Sequence, residues 1–234
     1  MSLAPVAAIA VGIALTLTAC GSSDSDKSSA SSSSSAAPAS SLAPTSKQTS
    51  AATPKPTEVE GANYTIADYI RDQKIVETAV KRGDENAPVI DLPFPPGWEN
   101  AGENTPDWAY GAIAYTGPDA GSYQPSIIAV LSKLDGAVDT QKLIDYAGNE
   151  VKNLQDYEEV QPPTPSTFAG FPALAVGGTH TENGKELLVA QKTVVITGKD
   201  GLYILQLNLD ATPEQVDIVN AATSEINTKT TITP

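Results

Sequence analysis

Cysteine occurs once in 234 residues, histidine once and methionine once, and basic residues are half as many as acidic ones, 14 against 28. Each scarcity excludes something. With Cys20 as the single thiol, no intramolecular disulfide can form, so packing alone must hold the fold together. One His (His180) and one Cys cannot assemble a zinc site of the usual kind, and no metal ligands are expected. No G-x-S-x-G motif accompanies His180, so a Ser-His-Asp triad lacks support and no catalytic residue is assigned. A phosphate-binding loop, a dinucleotide fingerprint and a calcium-loop spacing are all missing, and no cofactor is expected. A hydrolase built from two carboxylates that meet only in space is the one enzymatic reading left open.

The acidity is localised. Residues 1–57 hold Asp24, Asp26 and the lysines Lys27, Lys47 and Lys55, so the remainder carries 26 acidic and 11 basic residues, a net charge of −15. Such a surface repels nucleic acid, which is excluded as a partner, and it disfavours direct contact with anionic head groups.

What is present begins with an uncharged apolar run from Val6 to Leu17, followed by Leu17-Thr18-Ala19-Cys20. About a dozen apolar residues suit the core of a signal peptide, whereas a bilayer span needs roughly 20. Leucine, two small residues and cysteine form a bacterial lipobox. Cleavage is expected between Ala19 and Cys20, removing residues 1–19. Cys20 then carries diacylglycerol on its sulfur and a palmitoyl group on its amine. Each buried methylene contributes about 0.8 kcal/mol, so several chains anchor the protein firmly. The expected location is the outer face of the plasma membrane, with that membrane as a partner through the Cys20 lipid. No Lys or Arg precedes the apolar run, although signal peptides normally begin with one, so a translation start further upstream is expected.

Residues 20–57 form the expected tether. They are almost wholly Ser, Ala, Thr and Pro, too poor in apolar area to offset the entropy of ordering. A coil of that length spans roughly 30–36 Å. A globular domain is expected over 58–234, long enough for a proper core.

Within it, Thr65 and Asp68 read as a capping box for a helix from Ile66 to about Asp72. Ile75–Val80 reads as extended. Arg82-Gly83-Asp84 reads as turn chemistry rather than as an adhesive tripeptide. Leu92-Pro93-Phe94-Pro95-Pro96-Gly97-Trp98 should turn and drop the Trp98 indole onto an apolar surface. Trp108–Tyr115 reads as a strand with alternating aromatics, and Ser126–Ser132 as a central strand covered on both faces. Periodicity predicts one helix from Thr140 to about Tyr157, capped by Asp139, with Leu143, Ile144, Ala147, Val151 and Leu154 inward. Gln161–Pro165 reads as a stiff connector and Phe171–Thr179 as a strand. His180 falls in a loop leading to an Asn183-Gly184 hairpin turn. Leu187–Thr197 and Leu202–Leu209 read as strands, and a final helix runs from Pro213 to about Asn227 with Val216, Val219, Ala222 and Ile226 inward. Hairpin-joined strands with helices between them imply an α+β domain with a mainly antiparallel sheet.

Tyr64-Thr65-Ile66-Ala67-Asp68-Tyr69-Ile70 and Leu92-Pro93-Phe94-Pro95-Pro96-Gly97-Trp98, with the lipobox and the tether, resemble the mycobacterial LpqN/LpqT lipoproteins over about residues 61–227. The resemblance implies a Mog1/PsbP-like α/β/α sandwich and a bacterium with a mycolate envelope. It further implies association with envelope-lipid export machinery and binding of acylated trehalose, so an envelope glycolipid and a lipid-export transporter are the expected partners. No ligand residue maps from a family motif. The expectation is therefore a non-enzymatic envelope lipoprotein with an apolar cleft between helix and sheet, edged by Trp98, Trp108 or Tyr110. The competing expectation is a surface interaction module with a packed core and no cleft.

Overall fold

A computed structural model describes residues 62–234. Ala19, Cys20, the expected signal peptide and tether and the first residues of the expected domain lie outside the described residues.

Helix α1 (Ile66–Asp72) opens on a complete capping box. The Asp68 amide donates to Thr65 Oγ1 at 3.1 Å and the Thr65 amide donates to Asp68 Oδ2 at 2.9 Å. Strands β1 (Val76–Val80), β2 (Val89–Asp91) and β3 (Trp98–Asn100) follow, then β4 (Gly111–Tyr115) and β5 (Ser126–Asp135). Next come α2 (Thr140–Asp145), α3 (Asn149–Lys152), β6 (Glu158–Phe168), β7 (Phe171–Glu182), β8 (Lys185–Gly198) and β9 (Gly201–Ala211). The chain closes with α4 (Val216–Lys229) and β10 (Thr231–Thr233), which pairs with β2.

Eight strands form one antiparallel sheet in the order β3-β4-β5-β9-β8-β7-β6, with β1 beside the far half of β5. The expected mainly antiparallel α+β architecture is what the chain adopts. Adjacent residues of β8 show that both faces are covered. Gln191 Nε2 reaches Glu150 of α3 on one face (3.4 Å), and Lys192 Nζ reaches Asn227 of α4 on the other (2.7 Å). Alternation along a strand sends neighbours to opposite faces, so α3 and α4 sandwich the sheet.

Four local expectations are corrected. The predicted helix Thr140–Tyr157 is broken in two, because Gly148 adopts φ +76° and its missing Cβ would lie 2.2 Å from Val176 Cγ1 of the sheet. A helix cannot continue through a left-handed residue. The proline-rich "connector" is strand β6, an edge strand with register shifts around Gln161 and Thr164. Proline is tolerated there because an edge strand needs no donor on its outer side. His180 lies within β7 and is buried, opposite Leu187, rather than in a loop. Trp108–Tyr110 precede β4 in a turn closed by the Ala109 amide donating to the Pro106 carbonyl. The Asn183-Gly184 turn forms as predicted, both residues at positive φ, the type I′ requirement.

Candidate functional site

The first half of α4 is fixed from outside the sheet. A capping box joins Thr212 and Gln215. Gln215 Nε2 also donates to the carbonyls of Ala120 (2.7 Å) and Tyr123 (2.8 Å). The Tyr123 hydroxyl donates to Asp210 Oδ2 at 2.6 Å, and burial beside that carboxylate pushes the phenol pKa well up. At its other end α4 runs into β10, held by β2. The helix is therefore held at both ends like a bar across the sheet.

Under the bar the floor of the sheet sets short residues among long ones. Two cross-strand rows run beneath α4. One is Ala175, Lys192, Leu207, Ala129 and Gly111; the other is Gly177, Ala190, Leu209, Ile127 and Ile113. The inward stripe of α4 is Val219, Ala222 and Ile226. Alanine and glycine below and valine and alanine above do not fill the gap between the layers. A cavity of about 540 Å³ results, with Ala190, Leu209 and Val219 in its wall and Lys192, Asn227 and Asp217 at its rim. A second cavity of about 220 Å³ lies further along the same face, lined by Leu92, Phe94, Tyr110 and Ile113, with Arg82 at its mouth. Ile127, Leu207 and Ile226 line both, so the two cavities adjoin as one trough along the sheet. The larger cavity falls in the size range of small-molecule sites, and its mostly apolar wall with a few polar groups at one edge is their usual composition.

The predicted aromatics are not gathered around it. Trp98 is only 4% exposed and packs on Tyr115 with ring centroids 5.8 Å apart. It is delivered there by a type II turn: the Trp98 amide donates to the Pro95 carbonyl at 2.9 Å, with Pro96 second and Gly97 third at φ +79°. It lines neither cavity. Trp108 packs over Ala112, Ile128 and Val130, on the opposite face of the sheet from α4. Only Tyr110 lines a cavity, the smaller one; its hydroxyl accepts from the Ile90 amide at 3.3 Å and the Arg82 guanidinium lies 5.0 Å from its ring centroid. What was missed is the set of small inward residues, Ala129, Ala175, Ala190 and Gly111. Their signal is an excess of alanine and glycine at strand positions where a covered sheet usually carries Val, Ile or Leu.

Groups suited to chemistry lie elsewhere. His180 sits on the face away from α4, where burial lowers its pKa below the ordinary 6.5. Among the described residues no group of three His, Cys, Asp or Glu side chains is placed to hold a metal ion.

The family profile described as probable lipoprotein LpqN matches residues 62–233, the whole sandwich. Lipoprotein LpqN of Mycobacterium tuberculosis is 43% identical over 177 residues, which cover 76% of this chain and 77% of that protein. The crystal structure of LpqN, described as involved in cell envelope biogenesis of Mycobacterium tuberculosis, superposes with a TM-score of 0.69 at 44% identity, covering 74% of this chain and all of that one. The fold, the matched span and the identity agree, and this chain belongs to the LpqN lipoprotein family.

Proposed function

We propose that this chain is a non-enzymatic, lipid-anchored protein of the bacterial cell envelope. It takes part in envelope biogenesis by holding the acyl part of an envelope glycolipid in the cleft beneath α4. The observation that carries this reading is the cleft itself, about 540 Å³ of space above an alanine- and leucine-floored sheet. A surface interaction module would need no such space. Two further features support it. The lipobox cysteine Cys20 and the Ser/Ala/Pro segment after it would station the cleft near the membrane from which the glycolipid comes. The solved relative is described as acting in cell envelope biogenesis.

Binding of an acyl chain there is driven by burial of apolar surface at about 25 cal/mol per Å², with the sugar left at the rim. The test uses the full chain carrying Cys20→Ser, to keep its own lipid out of the cleft, titrated with a lauroyl trehalose in a calorimeter. Saturable binding is expected. Ala190→Phe, which puts a ring into the cleft floor, should weaken it by at least about tenfold, or 1.4 kcal/mol, with the thermal transition retained. Absence of binding to wild type, or full binding by Ala190→Phe, would overturn the acyl-cleft reading. A lipid-export transporter as partner is a separate expectation, tested by crosslinking in cells with wild type and Cys20→Ser.

A further inference from the structure

The cleft is lined by a cation. Lys192 lies on the inward face of β8, directly across from Leu207 on one side and Ala175 on the other. It is half-buried there beneath α4. Four other cations of the domain, Arg71, Lys133, Lys152 and Lys229, pair with carboxylates. Among the described residues Lys192 has no such partner. Its ammonium donates to Asn227 Oδ1 at 2.7 Å and lies 5.2 Å from the centroid of the Phe168 ring. The acidic side chain lining the same cavity, Asp217, is ten residues from Asn227, or about 15 Å along the helix axis. In a domain of net charge −15, a half-buried ammonium with no ion-pair partner among the described residues, set beside an apolar cavity, is a costly placement.

We propose that Lys192 and Asn227 form a carboxylate-binding head site, and that the trough beneath α4 takes a long-chain acidic amphiphile. This rests on the acyl-cleft reading above and adds to it a preference for an acidic head group. The donor set fits two carboxylate oxygens. An ammonium carries three N–H donors, of which one is spent on Asn227 Oδ1, and the Asn227 amide group carries two more. The ammonium from the strand is bonded to the amide from the helix, which sets both donor groups side by side, and charge-assisted bonds of this kind are about twice as strong as neutral ones. From the head site the chain has a path across the sheet. The row Lys192, Leu207, Ala129, Gly111 covers three strand spacings, about 14 Å. It passes beneath Ile226 and ends in the smaller cavity, where Phe94, 56% exposed, stands at the far end. Arg82, at that far mouth, meets the tail end of the ligand and not its head.

The test compares laurate with monolauroylglycerol, which has the same chain and no charge, on the full chain carrying Cys20→Ser. Wild type should bind laurate at least about tenfold tighter. Lys192→Gln should bring the two ligands within about twofold of each other by weakening laurate alone, and Lys192→Arg should keep the preference. Arg82→Gln should leave the preference unchanged. If Lys192 merely caps the last turn of α4, Lys192→Gln will lower the melting temperature and leave the laurate preference intact, which overturns the proposal. Equal binding of both ligands by wild type also overturns it while sparing the acyl cleft; no binding of either removes both readings. Should Lys192→Gln fail to fold, loss of preference in Asn227→Leu with folding retained supports the head site, and its persistence rejects it.

Discussion

The two faces of the sheet are packed by opposite rules. On the face covered by α1, α2 and α3, packing is so close that glycine is demanded twice, once between helix and sheet and once beside the neighbouring strand β6. A Cβ at Gly148 would meet Val176, and one at Gly178 would meet the Tyr157 ring at 2.0 Å and the Glu158 carbonyl at 2.4 Å. Leu143, Val151 and Leu187 are fully enclosed there. On the face covered by α4, alanines and glycines are interspersed with Leu, Ile and Lys, and space is left over. Small side chains thus have two meanings. Where the backbones close in they make contact possible, and where the helix is held up at its ends they make a cavity. The ends of α4 decide which applies: the Gln215 bonds to the 120–123 loop and the β10–β2 pairing fix its height independently of what lies below.

Substitutions on the two faces should therefore behave differently. Leu143→Ala, on the closed face, should cost the most, about 3 kcal/mol measured by denaturant unfolding, because the enclosed site cannot collapse around the loss. Gly148→Ala should follow at roughly 2 kcal/mol, from a positive φ forced on a residue with a Cβ and from the push against Val176. A wild-type-like unfolding midpoint in either variant would mean the closed face yields more than its geometry implies. Smaller again is the effect of acid. Burial holds His180 below the ordinary imidazole value of 6.5, so the unfolded chain binds the extra proton first. Stability should fall as pH drops below 6.5, and His180→Gln should flatten that slope between pH 7 and pH 5. An unchanged slope would locate the acid sensitivity in the carboxylates instead. The smallest effect is expected on the open face: Ala190→Leu, filling existing space, should shift stability by less than about 1 kcal/mol in either direction. A loss as large as that of Leu143→Ala would show the trough to be as tightly packed as its opposite.

Much of this was legible because it is local. The Thr65–Asp68 capping box, the Pro-Pro-Gly-Trp turn, the Asn183-Gly184 hairpin and the doubly covered β5 each depend on a few neighbouring residues whose chemistry permits one geometry. The failures share a cause as well. The strongest helical periodicity in the chain, Thr140–Tyr157, breaks at Gly148 because of a valine 28 positions away. The prolines of β6 became a strand because that strand lies at the edge, a fact of sheet order and not of composition. Large rings in a sequence suit a ligand-facing role as well as a packing one, and in the fold Trp98 and Trp108 serve packing.

By itself the sequence determined the class of the fold, the family and the turn types. These rest on short-range stereochemistry or on motifs read in one dimension. Only the tertiary structure decided where empty space would be and which charge would stand inside it. A cavity is a property of two surfaces held apart, and neither Ala190 nor Lys192 announces, in its own neighbourhood of the chain, that α4 will pass above it.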